Sequence, residues 1–392
     1  MFNLRLAVIF DRFGPYHLAR LDAAGQRGEV HGIEVVRQDA TYGWAVDQAL
    51  AAHCVRTTLF DHHRQATAAS VGRAMWRALE HLRPDVVAVP GWSKPACWTA
   101  LSWATTRGRP VILMSDSQRI DKPRRALGEW VKRQFVGGCA GALVAGERHR
   151  NYVFELGMPW RRIRLGYDVV DNAHFAQGAE AARAQVEATR AASGVPRDYF
   201  FVSARFVPKK NLPMLLDAFV AYLRELGDAA WHLVVAGDGP LEAELVDRVR
   251  EHQLAGRVHF VGFRSYQELP ALYGLARALV LPSVEEQWGL VVNEALAAGT
   301  PVLVSERCGC VPELVVEGKT GWTFDPTSPP QLAEHMARLT REPALATQMG
   351  EAGQQRVAAW TPERFAEALW DLAEQVADAG LNPRPQPSNS GC

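Results

Sequence analysis

Glu286 and Glu294 stand with seven residues between them in the run 282–301, PSVEEQWGLVVNEALAAGTP. Carboxylates suit the hydroxyls of sugars. If the chain near Gly289 and Leu290 opens a helix, its unpaired backbone N–H groups make an anion site. A phosphate held there leaves one carboxylate near a sugar and the other near a ribose. Farther up the chain, Arg205 and Lys210 place two cations beside another apolar run. Fixed cations suit a diphosphate whose charge grows as a glycosidic bond breaks, because they stabilise that transition state more than the ground state.

The elements that must position these groups are legible in the pattern. Residues 278–281 form an apolar run short enough for a buried strand, and 302–304 form another. Between them, 290–298 is rich in helix formers, Gly299 supplies a left-handed cap, and Pro301 forbids continuation. The unit is strand, loop, helix, strand. Glu286 falls just outside the carboxyl end of a strand, where open α/β sheets bind ligands, and Glu294 lies over a turn into the following helix. Tyr199 to Ala204 predicts a second strand, followed at once by Arg205, with Asn211 as N-cap of a helix through Leu212, Leu215, Leu216 and Phe219. All four groups then sit at one end of one sheet. Strands at 231–236 and 258–261 follow, the first leading into the turn Gly237–Pro240 and the second into Gly262 and Phe263.

The Glu286–Glu294 pair, followed by ALAAGTPV, resembles the Glu-x7-Glu motif of family 4 retaining glycosyltransferases (glycosyl transferases group 1) with the GT-B fold. Gly309 to Glu313 is similar to that family's Gly-Gly-x-Pro-Glu turn with Cys310 in place of a glycine, and Gly318 to Trp322 to its Gly-x-x-Gly-aromatic turn. The similarity is near-continuous from about Phe200 to about Met336. It implies an α/β protein of two Rossmann-like doubly wound domains facing across a cleft. By the resemblance Arg205 and Lys210 grip the donor's diphosphate with the helix start at Gly289 and Leu290. Glu294 takes the ribose hydroxyls, and Glu286 orients the transferred sugar. Gly262 and Phe263 lie beside the nucleobase, a place that ordinary connection chemistry explains equally well. The implied donor is a nucleoside diphosphate sugar, a UDP-sugar being the commonest case. No cofactor and no metal are implied, and no Asp-x-Asp pair for a manganese-bridged diphosphate is present.

Length and composition fit two such domains. The 392 residues are 48% hydrophobic, enough for two cores, and 43 basic against 43 acidic residues give no charge excess for nucleic acid. The opening apolar run through Phe10 is short, carries Arg5, and predicts a buried strand rather than a signal segment. Scattered cysteines without a Cys-x-x-Cys pair favour a reducing compartment, so a cytoplasmic location is expected. Strands at 4–10, 33–36, 86–89, 111–114 and 142–144, with helical stretches such as 71–82 between them, predict the first doubly wound sheet. The expected division is 1–175 for the first, acceptor-side domain and 176–197 for a helical or mobile connector. The donor domain then takes 198–358, a helix returning to the first domain takes 359–380, and 381–392 is a disordered tail.

The first domain departs from the family pattern. Its first strand-to-helix loop, Asp11 to His17, lacks the glycine pair many members carry, leaving Gly14 for close backbone approach to phosphates. His17 and Arg20 are either acceptor-facing or simply solvated. Many members place a histidine after the fourth strand; here Met114 to Ser117 offers Asp116, as a sugar-hydroxyl partner or a helix cap. The acceptor, an unknown hydroxyl compound, is a glycan, a lipid-linked glycan or a small molecule. In 119–135, six cations from Arg119 to Arg133 mix with Leu127, Trp130, Val131 and Phe135, fitting either a solvated helix face or peripheral contact with the inner face of a membrane. Two alternatives stand beside the transferase: a non-catalytic sugar-nucleotide-binding protein, and a GT-B-like sugar-nucleotide epimerase.

Overall fold

Short runs of Val, Ile, Leu and Ala with little polar alternation read as strands buried on both faces, and here they form parallel sheets. The computed structural model describes residues 4–38 and 52–381. The first sheet is built from β1 (Arg5–Phe10), α1 (Pro15–Gly25), β2 (Glu29–Gln38), β3 (Val55–His62), α2 (Ala68–Leu82), β4 (Val86–Pro90), α3 (Pro95–Thr106), β5 (Val111–Ser115), α4 (Ala126–Gly137), β6 (Gly141–Val144), α5 (Glu147–Glu155) and β7 (Ile163–Leu165). Its seven strands lie in the order β3-β2-β1-β4-β5-β6-β7. Two helices, α6 (Asn172–Ala184) and α7 (Val186–Ser193), lead out of it.

The second sheet follows as β8 (Tyr199–Ser203), α8 (Leu212–Leu226), β9 (His232–Ala236), α9 (Glu242–Glu251), β10 (Val258–Gly262), α10 (Leu269–Leu275), β11 (Ala278–Leu281), α11 (Leu290–Ala297), β12 (Val302–Ser305), α12 (Val311–Leu314) and β13 (Gly321–Phe324). Its six strands are ordered β10-β9-β8-β11-β12-β13. Helices α13 (Pro329–Arg341), α14 (Pro343–Val357) and α15 (Pro362–Leu381) complete the chain. In each sheet the winding direction reverses once, between β1 and β4 and between β8 and β11. Those reversals are the switch points at which doubly wound sheets open a crevice beyond their carboxyl ends.

Three strands escaped the sequence reading. β3 is a half-exposed edge strand of mixed polarity, VRTTLFDH, β7 has three residues, and β13 begins inside the segment read as a Gly-x-x-Gly-aromatic turn; none makes an uninterrupted run of aliphatic residues. Gly299 takes the expected left-handed cap, φ 73°. Asn211 does not cap α8 with its side chain; it is itself left-handed (φ 55°), and its Nδ2 donates to the carbonyls of Pro282 (3.2 Å) and Pro326 (2.9 Å). The segment read as a connector is helical: α6 packs on α10 and α11. Gly178 and Gly274 allow that approach, since a Cβ on Gly178 would meet Pro270 Cβ at 2.5 Å and one on Gly274 would meet Ala179 Cα at 2.7 Å.

α15 returns to the first domain, lying along α1, β6 and β7. Its Phe365, Leu369, Leu372, Ala373 and Val376 are buried, and Trp370 Nε1 donates to the Ala24 carbonyl at 2.9 Å. Each large side chain buried there contributes roughly 1.5–3 kcal/mol. Through α6, α10, α11 and α15 one apolar core runs without a break from Val8 in the first sheet to Leu279 in the second. The helix reaches Leu381, and the rest of the segment read as a tail, 382–392, lies outside the described residues.

Candidate functional site

Arg205 and Lys210 follow β8, and Glu286, Gly289, Leu290 and Glu294 follow β11, so all six flank the second switch point. The two loops are tied by backbone: Val284 N–H donates to the Lys209 carbonyl at 2.9 Å. Pro208–Lys210 forms a single 3-10 turn that brings Lys210 onto Glu286 as an ion pair, with both side chains nearly buried. Ser283 Oγ donates to the same Glu286 oxygen at 3.0 Å. Burial alone would raise the Glu286 pKa, but the charge and hydrogen bond of Lys210, with help from Lys209 and Ser283, hold it below the usual carboxylate value. Glu286 therefore stays anionic.

Gly289 stands at the start of α11 with φ 108°, a conformation side chains with a Cβ rarely adopt. Leu290 is the first helical residue, so the open N–H groups of α11 face the Glu286 loop. Glu294 lies just over a turn into α11, as the sequence predicts, and is 1% exposed. Tyr16 Oη donates to its Oε1 and Tyr273 Oη to its Oε2, each at 2.6 Å. Burial raises its pKa, and the two tyrosine hydroxyls and Lys210 offset only part of that. Gly262 ends β10 in a left-handed turn (φ 71°) with Phe263 44% exposed beyond it.

The first domain closes on this site from the opposite side. Gly14 opens α1 in an extended conformation that any residue adopts, and its N–H donates to His17 Nδ1 at 3.1 Å. His17 is thus turned onto its own helix start, half-buried against Phe10, with its pKa pushed down to about 3 by burial and by Arg20 and Arg12. Asp116 follows β5 and accepts from Gln287 Nε2 at 3.3 Å. Burial, with the neighbouring Asp168, pushes it up to about 7. Arg20 is buried with Asp168 (3.1 Å), its guanidinium over the Tyr167 ring at 4.9 Å.

Other groups at this seam were not singled out as site residues from sequence. Gln118 Nε2 donates to the carbonyls of Glu286 (2.8 Å) and Arg307 (3.2 Å). His149 Nδ1 accepts from Gly146 N–H, so its Nε2 carries the proton and donates to the Gln287 carbonyl at 2.8 Å. Arg148 reaches the carbonyls of Glu306 (2.9 Å) and Cys308 (3.0 Å), and Glu313 accepts from Glu147 N–H at 2.5 Å. The loop bearing Glu286 is thereby gripped from the first domain through its backbone. Ser283, three residues before Glu286, carried a local signal. Tyr16, 278 residues from Glu294, carried none.

Residues 186–356 match the family described as Glycosyl transferases group 1. The matched segment, under half of the chain, contains Arg205, Lys210, Glu286 and Glu294. A glycogen synthase of Mycobacterium tuberculosis is 36% identical over 155 residues, 39% of this chain and 37% of that protein's length. The whole chain resembles sucrose-phosphate synthase from Thermosynechococcus elongatus, with TM-score 0.76, 20% identity, and 96% and 100% of the two chains covered. It also resembles Anabaena HepE in complex with UDP, with TM-score 0.69, 16% identity, and 96% and 99% covered. These likenesses, with the two parallel sheets, show the GT-B fold.

Proposed function

We propose that the protein is a metal-independent, retaining glycosyltransferase of family 4 that moves a sugar from a nucleoside diphosphate sugar to a hydroxyl acceptor. The observation that carries the proposal is the Lys210–Glu286 pair at the switch point, next to the open start of α11. Arg205, Lys210 and the N–H groups at Gly289 and Leu290 hold the diphosphate and take up the charge a divalent cation would otherwise neutralise. Glu286 hydrogen-bonds the transferred sugar and supports positive charge at its anomeric carbon. The bond to the diphosphate oxygen breaks with its electron pair passing to that oxygen. The acceptor oxygen bonds the same face, and the leaving phosphate takes the acceptor's proton.

Glu294 receives the ribose and Gly262 and Phe263 border the base; from the facing domain Gly14 lets the backbone approach the phosphates, Asp116 takes a hydroxyl of the sugar, and His17 faces the acceptor. A UDP-sugar is the first donor to test, since HepE is described in complex with UDP. The same reading places the protein in the cytoplasm, resting on the inner face of a membrane through 119–135. There Leu127 (73% exposed) and Trp130 (58%) stand among the exposed cations Lys122, Arg125 and Arg133.

Thermal unfolding with UDP, GDP and ADP tests the donor site. A nucleotide at about a hundred times its Kd adds roughly 2.7 kcal/mol of stability, which raises Tm by a few degrees. One base should produce the rise and Arg205→Ala should abolish it; no rise with any of the three would overturn the proposal.

A further inference from the structure

We infer that Tyr16 gates the donor site from the first domain: its hydroxyl holds the ribose position on Glu294 until the nucleotide's ribose hydroxyls replace it. The inference rests on Glu294 as the ribose carboxylate. With Glu294 1% exposed and each of its oxygens accepting a 2.6 Å hydrogen bond from a tyrosine, a ribose has no access until one donor leaves.

The two tyrosines are not equally able to leave. Tyr273 belongs to α10 of the same domain, is fully buried, and packs edge-on against Phe201 at 5.0 Å and Phe175 at 6.0 Å. Tyr16 comes from the first turn of α1, across the seam, so a small parting of the domains or a turn of its side chain withdraws it. Its ring meets Tyr266 edge-on at 5.7 Å, and Tyr266 follows Gly262 and Phe263. Tyr16 therefore spans the carboxylate assigned to the ribose and the loop assigned to the base. Its neighbour in sequence bears on the other substrate: His17, the next residue, is the one placed facing the acceptor. Where Tyr16 withdraws by a parting of the domains, His17 moves with it, so the donor would bind before the acceptor.

Tyr16→Phe keeps the ring and removes only the hydroxyl. UDP, GDP, ADP and inorganic pyrophosphate are titrated calorimetrically into the wild type and the variant, and both proteins are melted free and nucleotide-saturated. The expected result is about tenfold tighter binding of the nucleotide to the variant, because free Glu294 has lost a donor that the ribose restores. Pyrophosphate, which reaches only the cations, binds both proteins equally. The variant melts lower than wild type when free and together with it when saturated, whereas a merely structural hydroxyl would lower both melts alike. If the wild type binds a nucleotide and Tyr16→Phe binds it equally or more weakly, gating is overturned and the donor site stands. If neither protein binds any of the three nucleotides, gating and the donor site fall together.

Discussion

Glu294 is buried and Glu286 nearly so, yet their partners give them opposite characters. Lys210 keeps Glu286 charged, whereas two neutral tyrosine hydroxyls leave the Glu294 pKa raised. A charged group suits the support of positive charge at an anomeric carbon; a group ringed by hydroxyls suits exchange with other hydroxyls. Accordingly, Glu286→Ala should cut turnover about 10²–10³-fold with UDP affinity little changed, and Glu294→Ala should mainly weaken UDP binding. Initial rates and calorimetry on the two variants would decide, and full activity in both would remove the site. His149 carries a pH signature of its own. Burial pushes it from 6.5 down to about 4, against the raising pull of the Gln287 carbonyl. Unfolded protein then binds a proton that folded protein refuses, so its share of stability is complete above pH 6.5 and is lost as pH falls toward 4. Asp116, raised to about 7, works in the opposite sense, losing its share as pH rises through 7, so the histidine is best isolated by difference. Between pH 7.5 and 5, urea denaturation should show wild type losing about 2 kcal/mol more than His149→Gln; equal losses would show that His149 is not held neutral.

Among the elements, the packing of α6 on α10 decides where the second domain's helical layer begins. Its tightness comes from two glycines, and Gly274 faces backbone rather than a yielding side chain. Gly274→Ala should therefore cost about 1–3 kcal/mol by overpacking, against roughly 1 kcal/mol of gained helix propensity. The expected net result is a Tm lowered by a few degrees, and an unchanged or raised Tm would mean that α6 slides without cost. The elements that carry the chemistry were legible because each is a local pattern. Apolar runs of four or five residues predict β8 and β11, and Gly299 with Pro301 ends α11. β3 was not legible because an edge strand buries only part of its surface, and polar residues then interrupt the run.

At the scale of the molecule, the two sheets share one continuous core, so the cleft is lined by domains fastened at α15 and at the Glu286 loop. The exposed face of 119–137 lies outside that core. Phe135 is buried, while Leu127, Trp130 and Val131 remain exposed. If this face meets an anionic bilayer, changing Leu127 and Trp130 together to Ser should sharply reduce co-sedimentation with phosphatidylserine-containing vesicles and leave nucleotide binding intact. Equal sedimentation of wild type and variant would dismiss the contact. Among the described residues no helix is long and apolar enough to cross a membrane.

The chain's own order determined the doubly wound character of both sheets, the placement of Arg205 and Lys210 after one inner strand and of Glu286 and Glu294 after another, and the turn that ends α11. These depend on contacts within a few residues or on strands that must be buried to be stable, and both leave periodic or compositional marks. Only the tertiary structure decided that Tyr16 meets Glu294, that Gln118 and His149 hold the Glu286 loop by its carbonyls, and that Asp116 and Asp168 share one buried neighbourhood. Contacts made across a domain seam, often through backbone carbonyls that every residue possesses, leave no mark in the sequence because the partner's identity does not enter the bond.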